Sequence, residues 1–202
     1  MPVVFDEKYL PATLTAEPMS DDEFIEFCAG YPDYFVEATA HGEILIMPPT
    51  HWLTGISGAH ILAQLGVWAR ADGTGAVTDS ASGFFLRNGA RRSPDAAWIS
   101  NRQIENVDFS TRTSSWHLCP AFIIELKPQS DRIASLREKM AEWIQNGARL
   151  GWLIDPEREA VEIYRATREP EIRTGISAIE GEGPVEGFTL DLLPVWKPLR
   201  HR

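Results

Sequence analysis

Two carboxylates and a lysine stand in this chain where such groups are costly. The segment Ala121-Phe122-Ile123-Ile124-Glu125-Leu126 is almost wholly apolar and is bounded by Pro120 and Pro128. That composition reads as a buried central strand. A carboxylate inside such a strand is expensive unless it is paired or binds a metal. Glu125 and Lys127 are two apart, so on a strand they point to one side. Asp95 opens a second apolar strand, Asp95-Ala96-Ala97-Trp98-Ile99, directly after Pro94. If the two strands are neighbours, both carboxylates and the ammonium converge at one sheet edge. A hard, oxygen-rich set of this kind suits Mg²⁺ or Mn²⁺. Such an ion polarises a phosphoryl oxygen and lowers the pKa of a bound water. Lys127 would then hold that water or stabilise charge developing on phosphorus.

The same residues also fit a purely structural Glu125–Lys127 ion pair, and the short patterns recur. Asp6-Glu7-Lys8 repeats the acid-any-lysine spacing, and Pro32-Asp33 repeats Pro-Asp. Only Pro94-Asp95 and Glu125–Lys127 both sit on expected strands ahead of a strong helix. Read from the residues alone, metal site and ion pair both stay open.

The elements around them follow from periodicity. Ser20 with Glu23 forms a capping-box pattern ahead of Phe24, Ile25, Phe27 and Cys28, and Gly30 ends that helix. A hairpin follows, with strands near Tyr34–Ala38 and Glu43–Met47 around His41-Gly42, closed by Pro48-Pro49. Ile61, Leu62, Leu65 and Trp68 predict a helix over roughly Thr54–Arg70. The middle reads as strands Ala76–Asp79, Gly83–Leu86 and Asp95–Ile99, split by Asn88-Gly89 and Arg91-Arg92-Ser93-Pro94. After the central strand, Ile133, Leu136, Met140, Trp143 and Ile144 define one face of a helix over Asp131–Asn146, capped by Ser130 or Asp131 and closed by Gly147. Strands Leu150–Ile154, Ala160–Tyr164 and Phe188–Leu192 complete the chain. The order gives an α/β fold with a mixed sheet, in which the central strand and Leu150–Ile154 run parallel through a helical crossover.

Composition narrows the function classes. With 202 residues, 44% hydrophobic and 24% charged, the chain suits one soluble globular domain with extensions. No run approaches the roughly 20 apolar residues of a membrane span. The first residues carry no basic stretch before a long apolar one, so no secretory leader is expected. Cys28 and Cys119 support neither a disulfide framework nor a thiolate metal site, and they suit a reducing cytoplasm. A net charge of −10 weighs against a protein that coats nucleic acid. Arg87, Arg91, Arg92 and Arg102 could form a local basic patch, although such runs usually just face water. His41, His51, His60, His117 and His201 lack paired ligand spacing, Ser57 and Ser82 lack a nucleophile elbow, and no phosphate-binding Gly-Lys-Ser/Thr loop is present.

Pro94-Asp95, 29 intervening residues and Glu125-Leu126-Lys127 resemble the PD-(D/E)xK motif of restriction endonuclease-like nucleases. The likeness is closer to one branch, the putative restriction endonuclease family abundant in cyanobacteria. It is carried by Gly42-Glu43-Ile44-Leu45-Ile46-Met47-Pro48-Pro49-Thr50, by Arg92-Ser93-Pro94-Asp95-Ala96-Ala97-Trp98, and most specifically by the run from Glu138-Lys139-Met140 through Asn146-Gly147-Ala148-Arg149-Leu150-Gly151-Trp152-Leu153-Ile154-Asp155-Pro156. The resemblance covers roughly residues 20–195, between an N-terminal arm (1–19) and a tail (196–202).

It implies a restriction endonuclease-like core, a mixed central sheet flanked by helices. It also implies Mg²⁺- or Mn²⁺-dependent hydrolysis of nucleic acid, foremost DNA, with Asp95 and Glu125 on the metal and Lys127 as the catalytic lysine. Members of this branch often take that lysine from the following helix, where this chain offers Lys139. Glu37 matches an acidic residue ahead of the family's first hairpin. It is either a further metal carboxylate or a hairpin-edge glutamate. A homodimer is expected if both strands of a duplex are cut, and the cytoplasm is the expected setting. The alternative is a catalytically silent nuclease-fold module for binding or assembly.

Overall fold

The computed structural model describes residues 10–15, 19–111, 113–128 and 132–199. Asp6–Lys8 and the expected caps Ser130 and Asp131 lie outside these residues. In chain order the elements are β1 (Ala12–Thr15), α1 (Asp21–Ala29), β2 (Phe35–Ala38), β3 (Glu43–Met47), α2 (Trp52–Asp72), β4 (Gly75–Asp79), β5 (Phe84–Phe85), β6 (Arg91–Arg92), β7 (Ala96–Ser100), α3 (Asn101–Glu105), β8 (Phe122–Leu126), α4 (Ile133–Asn146), β9 (Leu150–Asp155), β10 (Ala160–Arg165), β11 (Arg168–Thr174), β12 (Ala178–Glu180), β13 (Thr189–Asp191) and α5 (Leu193–Trp196). None of the described helices is long and apolar enough to cross a membrane.

The chain divides into two compact units. The smaller takes its residues from within 1–50, 83–93 and 107–118. Its sheet has the order β1-β3-β2-β6-β5, with every pairing antiparallel. The capping box on α1 forms as its sequence predicts, with Ser20 Oγ accepting from the Glu23 amide and Glu23 accepting from the Ser20 amide. Phe24 and Ile25 of α1 bury against Ala38, Ile44, Ile46 and Phe85. Arg91 and Arg92 do not build an open basic patch. Arg91 donates to Asp21 Oδ1 and to the Met19 carbonyl, both at 2.8 Å, and its guanidinium lies over the Phe24 and Phe85 rings. Arg92 pairs with Glu37.

The larger unit takes residues 51–82, 94–106 and 119–202. Its central sheet is mixed, in the order β11-β10-β9-β8-β7-β4. Only β8 and β9 run parallel, because α4 returns the chain between them; the other neighbours are antiparallel. Alternation along β8 sorts the core. Phe122, Ile124 and Leu126 join Trp98, Trp152 and Ile154 in a cluster with Ile61, Leu65 and Ala69 of α2. Ile123 points the other way. Its side chain and Met140 of α4 both close on Gly151, where an added Cβ would lie 2.6 Å from Met140 Cε. Helices therefore cover both faces of this sheet, as expected for the α/β class.

Several boundaries differ from expectation. Helix α2 runs longer than its apolar stripe, because His51 Nδ1 accepts from the Leu53 amide at one end and Gly73 adopts a left-handed φ of 72° at the other. The expected strand over Gly83–Leu86 shrinks to two residues. Helix α4 begins at Ile133, and the Arg132 before it makes no side-chain cap bond. Strand β11 escapes periodicity altogether. It is an exposed edge strand rich in charge and held by its ladder to β10, so it carries no hydrophobic alternation to read.

Candidate metal centre

The register of β7 on β8 pairs Ala96 with Ile124 and Ala97 with Ile123. Asp95 comes directly before β7, beside the end of β8, and like any residue outside a strand its side chain is not set by the alternation. The side chain of Asp95 closes the end of the ladder. Its Oδ2 accepts the Leu126 amide at 2.7 Å. The Asp95 carboxylate thus rests on the peptide that joins Glu125 to Leu126. A hydrogen bond from a backbone amide to a carboxylate is charge-assisted and geometrically strict.

Glu125 lies on the face that α4 covers and is 3% exposed. Two side chains from α4 reach it. Trp143 Nε1 donates to Oε1 at 2.8 Å. Lys139 Nζ lies 2.9 Å from Oε1 and 3.1 Å from Oε2. Lys139 and Trp143 are four apart, so one helix face presents both. The cost of burying this carboxylate is met by an ammonium and an indole N–H together.

Lys127 sits just past the end of β8, where strand alternation no longer sets its direction. Its amide continues the ladder by donating to the Ile154 carbonyl at 2.8 Å. Its Nζ donates to Glu157 Oε2 at 2.8 Å and to the Pro128 carbonyl at 3.2 Å. Glu157 belongs to the turn after β9, in which Asp155 Oδ1 accepts the Glu157 amide. The lysine in contact with Glu125 is therefore Lys139.

Glu37 belongs to the smaller unit and is equally buried at 3% exposure. Its Oε2 accepts from Arg92 at 3.1 Å and its Oε1 from the Ser93 amide at 2.9 Å. Within its unit it fastens the backbone at Ser93.

A second buried carboxylate tests how specific an acid in an apolar strand is. Glu162 on β10 pairs across β9 with Leu153, which is itself the parallel partner of Glu125. Arg137 of α4 donates to both Glu162 oxygens, with Nε at 2.9 Å from Oε2 and Nη2 at 2.6 Å from Oε1, and the Tyr164 hydroxyl adds a bond at 2.9 Å. Burial pushes this carboxyl up, but the bonds from Arg137 and Tyr164 and the charges of Arg137 and Arg158 outweigh it and hold the group below its ordinary value. Burial and the bond to Glu162 push the Tyr164 hydroxyl well up. Glu162 is thus a paired structural carboxylate. Glu125 differs in having a second carboxylate, Asp95, against its own peptide.

The donor set fits a small divalent cation. Asp95 and Glu125 come from adjoining strand ends, and hard oxygen ligands of this kind suit Mg²⁺ or Mn²⁺ with water completing the shell. Among the described residues no group of three or more His, Cys, Asp or Glu gathers as a metal set. The role of Trp143 was not legible as chemistry, because its spacing marks only an apolar helix face. A buried indole N–H usually finds an acceptor, and Trp143 finds Glu125.

Residues 21–193 match the model of the family Uma2, described as "Putative restriction endonuclease". No curated protein matches the chain. A crystal structure described as a putative nuclease belonging to DUF820, from Anabaena variabilis, is similar over 89% of this chain and 98% of that one, with 16% identity and a TM-score of 0.72. At that identity the likeness concerns the fold.

Proposed function

The chain belongs to the Uma2 family of putative restriction endonucleases, and from that premise we propose that it is a divalent-metal-dependent phosphodiesterase that cuts nucleic acid, foremost DNA. The observation that supports the reading is the Asp95 carboxylate resting on the Glu125–Leu126 peptide, beside a Glu125 held by Lys139 and Trp143.

Asp95 and Glu125 would hold Mg²⁺ or Mn²⁺. When bound, such an ion polarises a phosphoryl oxygen and lowers the pKa of a coordinated water. The protein's own groups do the positioning. The Leu126 amide orients Asp95, and Trp143 orients Glu125. Lys139 brings an ammonium to the same carboxylate, where it can hold a water or face charge that develops on phosphorus. We assign the lysine role to Lys139, since the Lys127 ammonium is engaged with Glu157 and the Pro128 carbonyl. Glu37 enters as a fastener of the Ser93 backbone rather than as a ligand. Cutting both strands of a duplex calls for two such sites, so a homodimer in the cytoplasm is the assembly this reading favours.

The test is cleavage of supercoiled plasmid, single-stranded DNA and RNA with Mg²⁺ or Mn²⁺. Asp95→Asn and Glu125→Gln, checked for folding by circular dichroism, are expected to lose at least ~10²-fold in rate, the scale of removing one electrostatic stabiliser. Folded variants that cut as fast as the wild type refute the assignment. A wild-type protein that cuts none of the three substrates with either ion refutes the activity and favours a silent module.

A further inference from the structure

The indole of Trp143 is fully buried on α4. Packing alone does not require nitrogen at this place, since apolar contacts make no use of an N–H donor. The other buried indoles show how variable the fate of that N–H is. Trp196 Nε1 donates to the Ile176 carbonyl. Trp98 Nε1 is buried with no hydrogen-bond partner in the described structure. Trp143 instead gives its N–H to a carboxylate that is itself 3% exposed, at 2.8 Å.

Both side chains from α4 meet Oε1 of Glu125. Oε1 takes Trp143 at 2.8 Å and Lys139 at 2.9 Å. Oε2 takes Lys139 at the longer 3.1 Å. The indole is locked by its packing, whereas a lysine ammonium sits on a flexible four-carbon stem. One grip is rigid and the other can yield.

We propose that Trp143 is a positioning residue that pins Oε1 of Glu125 and turns Oε2 toward a divalent cation, with Lys139 as the partner that gives way. This rests on the metal-site reading above. Partners that orient a metal ligand in this way typically change affinity 10- to 100-fold when removed. A tryptophan with only a packing role would change stability and leave metal affinity alone.

Calorimetric titration of Mn²⁺ into the metal-free protein separates the two. Trp143→Phe keeps a ring and removes the donor, and it is expected to bind Mn²⁺ about 10- to 100-fold more weakly. Trp152→Phe trims a buried indole packed on Phe122 and Phe188, and should lower the melting temperature without altering Mn²⁺ affinity. If both variants bind Mn²⁺ as the wild type does, the positioning role is wrong and the metal site stands. If the wild type binds no Mn²⁺, both fall. Should Trp143→Phe not fold, the indole ¹⁵N–¹H resonance of Trp143 in the unmutated protein decides. It should shift on Mg²⁺ titration while that of Trp196 stays still, and a Trp143 resonance indifferent to Mg²⁺ overturns the proposal.

Discussion

Replacing Lys139 by methionine keeps the length and apolar stem of the side chain and deletes the charge. Glu125, at 3% exposure, would then keep the Trp143 N–H and lose the Lys139 cation. Breaking a buried ion pair by removing one partner costs about 3–5 kcal/mol. The surviving indole bond and the partial exposure of Lys139 argue for the lower end, about 3 kcal/mol. For a protein of this size each kcal/mol moves the melting temperature by about 2–4 °C, so Lys139→Met should melt roughly 6–12 °C below the wild type without metal. Lys127→Met is the internal comparison. Its partner Glu157 is nearly half exposed, and pairs open to solvent contribute about 0–1 kcal/mol. Differential scanning calorimetry in chelator, then with Mn²⁺, reads both effects. A cation at Glu125 restores the missing counter-charge, so Mn²⁺ should raise the melting temperature of Lys139→Met by more than it raises that of the wild type. Binding at ~100 times Kd adds about 2.7 kcal/mol to a folded state, enough to recover most of the loss. The reasoning is refuted if Lys139→Met melts with the wild type, or if Lys127→Met is the more destabilised of the two.

Two further outcomes follow from other groups. Glu162 is held below its ordinary value in the fold, so its contribution to stability is complete above the unfolded glutamate value of about 4.3 and is lost as pH falls through the lower folded value; urea titrations across that acid range should show a shallower pH slope for Glu162→Gln, and an unchanged slope would remove Glu162 from the account. Burial pushes the Cys28 thiol up to about 11, against a smaller opposing pull from Arg91; its thiolate fraction at pH 8 is then about 100-fold below that of an ordinary thiol, and alkylation by iodoacetamide should be slower in proportion, which mass spectrometry of Cys28 peptides would check.

Strong periodic elements were readable from the chain alone. The strand Glu43–Met47, by its alternation, and the central strand Phe122–Leu126, by its unbroken apolar run, carry their own boundaries, because proline or glycine flanks each. The α1 capping box is equally local, since both of its bonds span three residues. Strand β11 was not readable. Its stability comes from pairing with β10, a partner it cannot declare in its own composition. The arginines show the same limit in electrostatics. A run at Arg91-Arg92 looks like a surface patch, yet both guanidiniums are spent on Asp21 and Glu37, more than fifty residues away in the chain.

The candidate site divides along the same line. Sequence alone determined that Glu125 lies in a strand too apolar to hold a carboxylate without a partner, and that Asp95 stands at the start of a second apolar strand; that the two strands are neighbours came from the fold. The first two are statements about local composition and two-residue alternation, which a chain carries in itself. Which cation meets Glu125 was decided only in three dimensions. Lys127 is nearest in sequence, but β8 ends before it and the turn after β9 offers it Glu157. Lys139 is fourteen residues on, yet the return of α4 across the sheet lays it and Trp143 on the carboxylate. Glu162 carries the same strand signature as Glu125 and finds an arginine and a tyrosine instead. The type of group a buried charge requires is set by the physics of burial, whereas the identity of its partner is set by which elements the topology places against it.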